Sequence, residues 1–456
     1  MKPLDTNKDP QVLGPFEMLA RLGEGGMGVA YLARRIPLDG FTDEDAAAYQ
    51  LVEADAGMDA AEPRLVVVKM IKPELLDGEP QARERFAREI DAVGAVVSER
   101  VPALIAWAPD AEWPWFAMDY VAGPSLHTMV TGSGPLGVGP YAALGLALVD
   151  ALRVIHGAGL LHRDLKPSNV VLGPDGPVVL DFGLAVLAER QSSQALTASN
   201  VGIGTLDYMP LEQRTDAKHV KEPADVYALG ATLFFALTGR PPYPHGPLTT
   251  GPTNWDGVDS AFIGLLAQIL VPYPVQRPKL DAVEANVKAL LAASDLTPEL
   301  AAEQLATLVA ESGLTPKLPA AALADQASPA VQELAQKAVD AGAAPDAPWA
   351  DGGAADDSPG FYGLVDTEEI ELAQEAAVAP PQDPTPTPAD ERPAEPPAAP
   401  SAPLPAPAEP TSYRLQLPEP PEPEAPPPAP VPQGAPKAAL RVAERLREAY
   451  AHRGDL

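Results

Sequence analysis

The sequence predicts an α+β fold in which strands come first and helices second, followed by a tail that builds no core. Three observations carry this. Residues 14–121 hold four short runs of strand character, "FEMLARL", "VAYLA", "LVVVKMI" and "WFAMDYV". Residues 122–294 are mostly helical in pattern, broken by Pro and Gly. The stretch 380–436 then carries 23 prolines in 57 positions, too many to bury apolar surface.

Taken in order, residues 1–13 read as an N-terminal arm. One helix, about 80–97, interrupts the strands, with Phe86, Ile90 and Val93 on one face. Between Ile36 and Pro63 lie eight carboxylates and no Lys or Arg, which reads as a solvated acidic insertion between strands. Beyond 294, "TPELAAEQLATLVAESG" starts with Thr297 as N-cap and Pro298 at the first helical position. "SPAVQELAQKAVDAG" repeats that grammar with Ser328, Pro329 and a closing Gly342. These predict a small helical extension over 295–345. A Pro/Ala/Glu-rich disordered linker follows over 346–436. An amphipathic, locally basic helix is expected over 437–453, with Ala439, Val442, Ala443, Leu446 and Tyr450 at helical spacing.

The formal net charge is −31, which makes nucleic acid and anionic membranes poor partners for the chain as a whole. There are no cysteines, so disulfides, thiol catalysis and cysteine metal sites are excluded. The start "MKPLDTNKDPQVLG" lacks the apolar core of a signal peptide. "YAALGLALVDALRVIHGAGLL" carries Asp150 and Arg153, and "DVYALGATLFFALTGRPP" stops too soon, so both read as buried helices and no membrane span is expected. The expected location is cytoplasmic.

Gly23, Gly25 and Gly28 make a G-x-G-x-x-G, a weak signal alone. It suits a dinucleotide turn, a lid over ATP phosphates, or a turn with no ligand. A dinucleotide turn needs a helix directly after it, yet the strand-like "VAYLA" follows, which favours a hairpin. Lys69 sits in an apolar strand, where a cation needs a partner. Glu89 on the nearby helix is the best candidate; Glu84, or a plain surface lysine, are the alternatives. Then "LLHRDLKPSNVVL" is followed by "LDFGLA", placing Asp164, Lys166, Asn169 and Asp181 together. Phosphoryl transfer needs such a set: a carboxylate to orient the attacking hydroxyl, hard oxygens to hold Mg²⁺, and a cation to offset charge on the transferred group.

With these motifs the chain resembles the eukaryotic-like (Hanks-type) Ser/Thr protein kinases of bacteria over residues 14–294, in a soluble form without a transmembrane sensor domain. The resemblance implies a bilobal protein-kinase fold, with a strand-rich small lobe (14–121) over a helical large lobe (122–294). It implies that Leu22, Gly23, Glu24, Gly25, Gly26, Met27 and Gly28 cover ATP, and that Ala30 and Val67 line the adenine site. Met118 is then the gatekeeper and Asp119 to Val121 face adenine. Lys69 holds the α- and β-phosphates and Glu89 pairs with it. Asp164 is the catalytic base, Asn169 and Asp181 bind Mg²⁺ or Mn²⁺, and Lys166 marks the Ser/Thr-type loop. Asp225 braces the catalytic loop, and Arg277 pairs with Glu212. Arg163 grips a phosphorylated residue of the activation segment, with Thr197 expected ahead of Ser199 and Thr205, the last lying near the substrate hydroxyl.

Three features depart from that family. The usual small-residue–Pro–Glu ending reads Pro210-Leu211-Glu212. Ala30 stands where valine caps adenine, removing about 1 kcal/mol of apolar contact. The acidic insertion lengthens a connection that is normally short. The resemblance implies protein substrates, phosphothreonine-reading or tail-binding proteins, and a transient homodimer for autophosphorylation. The alternatives are a pseudokinase scaffold working through its tail, and a small-molecule kinase. Against the first, Lys69, Asp164, Asn169 and Asp181 are all present.

Overall fold

The run "LVVVKMI" is apolar on both sides because its strand is covered on both sides. In the computed structural model, β4 (Leu65–Ile71) lies inside a six-stranded antiparallel sheet of order β1-β2-β3-β4-β6-β5. The others are β1 (Val12–Leu13), β2 (Phe16–Gly25), β3 (Gly28–Arg35), β5 (Leu104–Ala108) and β6 (Trp115–Asp119). The structure describes residues 1–25, 27–37, 49–51, 64–76, 82–182, 206–216, 219–243, 253–324 and 327–340. All of them lie in one unit, Met1–Ala373.

Side chains alternate across the pleat. Val66, Val68 and Met70 join an outer layer with Phe16, Met18, Val29, Tyr31 and Trp115, against which Leu4, Tyr49 and Leu51 pack. Val67 and Ile71 join an inner layer with Leu22, Ala30, Leu32, Phe116 and Met118. Helix α1 (Ala82–Gly94) closes that inner layer with Phe86 and Ile90. The arm of residues 1–13 therefore supplies a strand, and Lys2 bridges Arg21 on β2. Of the acidic insertion, residues 49–51 are not simply solvated. Tyr49 stands 6.1 Å from the Trp115 ring, and its carbonyl accepts from Trp107 N–H at 3.1 Å.

The large lobe is built round α3 (Val138–Gly157) and α5 (Pro223–Thr238). α3 is long and apolar enough to cross a membrane by length and composition, but most of it is buried as the central core helix. Gly230 on α5 allows close approach of Ile269, since a Cβ there would sit 2.4 Å from its side chain. Around these pack α2 (Leu126–Ser133), α6 (Ser260–Ile269), α7 (Leu280–Ala293) and the hairpin β7 (Val170–Gly173)–β8 (Gly176–Val179). The short helix α4 (Leu211–Thr215) precedes α5.

The described residues after 294 pack on both lobes. Thr297 caps α8 (Pro298–Ser312), accepting from Leu300 N–H at 3.3 Å, and Gly313 ends it at φ +65°. Ala301 and Leu305 are buried in the large-lobe core. Ser328 Oγ accepts from Val331 N–H at the start of α9 (Pro329–Asp340), and Ala335 packs with Val12 and Ile36 of the small lobe. The expected linker and terminal helix, over 346–436 and 437–453, lie outside the described residues.

Candidate active site

The glycine stretch is a hairpin. Gly25 pairs with Gly28 where β2 ends and β3 begins. Gly28 has φ +153°, and a Cβ there would lie 1.8 Å from the Met70 carbonyl oxygen, so no side chain fits. Lys72 N–H donates to Met27 C=O at 3.0 Å, tying the turn to the end of β4. Gly23 and Glu24 are on β2, and Glu24 accepts from Arg21 at 2.7 Å. Gly26 lies outside the described residues.

Lys69 is buried on the inner side of β4. Its ammonium stands 3.1 Å from Asp181 Oδ1 and 5.9 Å from the Phe116 ring centroid. A buried cation is tolerated only with such partners. The pair links β4 of the small lobe to the loop after β8, where Asp181 takes φ +59°. The sequence reading pairs Lys69 with Glu89; the structure sets Asp181 beside its ammonium. On α1, Glu89 is half-buried beside Phe86 and Ile90, whereas Glu84 stands in solvent.

The loop from His162 to Asn169 hangs on buried Asp225 at the start of α5. Its carboxylate accepts from His162 N–H at 2.9 Å, Arg163 N–H at 2.8 Å and His156 Nε2 at 2.8 Å. Arg163 adopts φ +64°, and its carbonyl accepts from Gln213 at 2.5 Å. Anchors on both sides hold that costly left-handed conformation. His162 is fully buried and accepts from Asp164 N–H at 3.2 Å through Nδ1. Burial lowers its pKa, so it is the neutral imidazole that packs here. Asp164 Oδ2 accepts from Lys166 Nζ and from Asn169 Nδ2, each at 3.0 Å. Asn169 Nδ2 also donates to the Asp164 carbonyl at 2.8 Å. The amide nitrogen is thus spent on Asp164, and the Asn169 oxygen is the group available for a ligand.

Leu22, Ala30, Val67 and Met118 lie in one inner apolar layer of the small lobe. Asp119 turns its carboxylate to Arg64, at 2.8 and 2.5 Å, so what it offers the cleft is backbone. Val121 packs on Val171, Val178 and Leu180, between the lobes. Gly123 is required here, because a Cβ would meet the Leu172 carbonyl oxygen at 2.1 Å. At the far side, Arg277 forks onto Glu212 and also donates to the carbonyls of Val271, Pro223 and Pro272. The Pro-Leu-Glu departure leaves this pair intact, with Leu211 half exposed to solvent. Thr197, Ser199 and Thr205 lie outside the described residues.

Among the described residues no group of three His, Cys, Asp or Glu side chains gathers as a metal site. Asn169 and Asp181 supply two hard oxygens. This donor set fits a hard dication that takes its other ligands from phosphates and water. Sequence reasoning missed Gln213, His156, Arg64 and Gly123, whose roles arise from contacts distant in the chain. For Gly123 the signal was its place directly after the presumed hinge.

Residues 53–291 match the family described as protein kinase domain. The chain is 41% identical to the serine/threonine-protein kinase AfsK of Streptomyces coelicolor over 241 residues, covering 53% of this chain and 26% of that one. It is 41% identical to the probable serine/threonine-protein kinase PkwA of Thermomonospora curvata over 235 residues, covering 52% and 28%. It is 33% identical to PknF of Mycobacterium tuberculosis over 238 residues, covering 50% and 44%. The chain therefore spans less than half the length of each of these relatives.

Proposed function

The chain belongs to the protein kinase domain family, and from that premise we propose that it is an ATP-dependent protein Ser/Thr kinase. The observation that carries this reading is the Asp164 carboxylate, held on one oxygen by Lys166 and Asn169, in a cleft also lined by the Lys69–Asp181 pair. A Ser or Thr hydroxyl oxygen forms the new bond to Pγ, and the bond from Pγ to the bridging oxygen of ADP breaks. The hydroxyl proton passes to Asp164, and Lys166 offsets charge on the transferred phosphoryl group. Lys69 binds the α- and β-phosphates, with Glu89 as its helix partner, and the hairpin from Leu22 to Gly28 covers them. Ala30, Val67, Met118 and the backbone of Asp119–Val121 enclose adenine. Asn169 and Asp181 would hold Mg²⁺ or Mn²⁺, which neutralises phosphate charge when bound.

Substrates are proteins in this reading. Autophosphorylation falls at Thr197, ahead of Ser199 and Thr205, with Arg163 pairing to the phosphate. Mass spectrometry that finds no phosphate between 192 and 205 after incubation with ATP and Mg²⁺ would reject that part. The scaffold alternative is not favoured, since Lys69, Asp164, Asn169 and Asp181 are all retained. The test is transfer from γ-labelled ATP by the wild type and by Asp164→Asn. Losing the base should slow transfer by about 10²–10⁴-fold. Equal labelling by both would overturn the assignment.

A further inference from the structure

Among the described residues the chain passes from one lobe to the other at two places. The first crossing is the hinge after Met118. The second comes after Ser312, where the chain leaves the large lobe and lands on the small one. On the large lobe, Gln304 lies over Gly139, where a Cβ would stand 1.9 Å from its Oε1, and Leu314 lies over Gly132 at 2.9 Å. On the small lobe, Leu318 and buried Ala322 join the inner layer that contains Leu22, Ala30, Val67 and Met118. Arg34, on β3, donates to the carbonyls of Ala324 at 2.5 Å and Ala321 at 3.4 Å, while Glu17 on β2 takes its other edge at 2.5 Å. Ala327, Val331 and Ala335 then cover Val12 and Ile36. Ala30, Leu32 and Arg34 alternate onto one side of β3. The segment therefore grips the side of the strands that faces the nucleotide cleft.

We propose that residues 313–324 and 327–340 form a strap that positions the small lobe over the large one, with Leu318, Ala322 and Arg34 as positioning residues for nucleotide binding. This rests on the kinase reading of the cleft. A hinge with one crossing leaves the lobes free to rotate, and a second crossing narrows the set of orientations. Ligand affinity scales with the fraction of molecules in the competent orientation.

The test uses the full chain with Ala322→Glu and Ala335→Glu. Each places a carboxylate where the strap is buried, so the strap undocks rather than bury an unpaired charge. If undocking leaves the competent orientation populated at a fifth to a tenth, the KM for ATP rises about five- to tenfold. The kcat should change by less than about twofold, because the catalytic loop keeps its own anchors. Amide exchange should quicken over 16–35 and stay unchanged over 138–157. Leu318→Ala, which adds no charge, should raise KM about twofold with the same exchange pattern, and it decides the matter should a glutamate variant fail to fold. Wild-type KM and exchange in Leu318→Ala and in the folded glutamate variants would overturn the proposal. A lower KM with faster turnover would also overturn it, since the segment would then be a brake. A wild type that transfers no phosphate would refute the kinase reading, and the exchange pattern would still decide the strap.

Discussion

Arg277→Met tests whether the end of the activation segment is held by a buried brace. The guanidinium is almost fully enclosed and spends its donors on Glu212 and on three backbone carbonyls, those of Val271, Pro223 and Pro272. It also stands 5.0 Å from the Tyr227 ring centroid. Methionine fills similar volume but donates nothing. Pro223 and Val271 are half-buried and Pro272 is exposed, so a carbonyl left without its donor costs about 1 kcal/mol at the first two and less at the third. Glu212 loses its counter-charge, but its side chain is 26% exposed, so water recovers part of that loss. The sum is about 3–5 kcal/mol, the range for removing one partner of a buried pair. Against a total stability of about 5–15 kcal/mol this is a large share. At about 2–4 °C per kcal/mol, Tm should fall by about 6–20 °C. Urea unfolding gives the free energy and a thermal scan gives Tm. Arg277→Lys keeps the charge but not the fork, and should fall between the two. A loss below about 1 kcal/mol in Arg277→Met would refute the buried brace, since that is the range of a surface pair.

Two glycines that look alike in the sequence should behave differently. Gly28→Ala drives a Cβ against the Met70 backbone at 1.8 Å, so the hairpin must peel from β4. The KM for ATP should then rise by about tenfold or more if the competent hairpin falls to a tenth, and an unchanged KM would refute it. Gly139→Ala meets only the tip of the Gln304 side chain, which rotates away. Its cost is offset by the roughly 1 kcal/mol that alanine gains over glycine in a helix, so urea unfolding should show little net change. His162→Gln should flatten the acid limb of stability. The folded chain holds His162 neutral and the unfolded chain protonates it, so the unfolded state binds more protons as pH falls below the ordinary histidine value of 6.5. Wild-type stability should therefore fall with pH there, by up to about 1.4 kcal/mol per pH unit from this group. Equal slopes in the two proteins between pH 7.5 and 5.5 would refute the assignment.

Much of the site was legible because its chemistry is packed into short segments. The loop from His162 to Asn169 brings Asp164, Lys166 and Asn169 together within one turn, so sequence neighbours are spatial neighbours. β2, β3, β4 and β6 were legible from their apolar runs. β5 escaped because "LIAWA" is short and lies after an irregular stretch. The β7–β8 hairpin escaped because its four-residue strands sit inside an otherwise helical lobe. The partner of Lys69 was read as Glu89 on the nearest helix, and Asp181 enters only because the lobes close on each other.

The sequence by itself determined which chemical groups are present and which elements carry them. Capping residues, apolar periodicity and the spacing of Asp164, Lys166, Asn169 and Asp181 are local properties that need no tertiary knowledge. Only the tertiary structure decided where the stretch after 294 goes. Thr297 and Ser328 announce α8 and α9 equally well for a free appendage or a docked strap, since a cap is satisfied within its own helix turn. Docking depends instead on what the segment meets elsewhere: Gly132, which leaves room for Leu314 on the large lobe, and the apolar Val12 and Ile36 on the small one. Those complementary surfaces are assembled from residues some 150 to 320 positions away in the chain, and no local pattern in 295–345 encodes them.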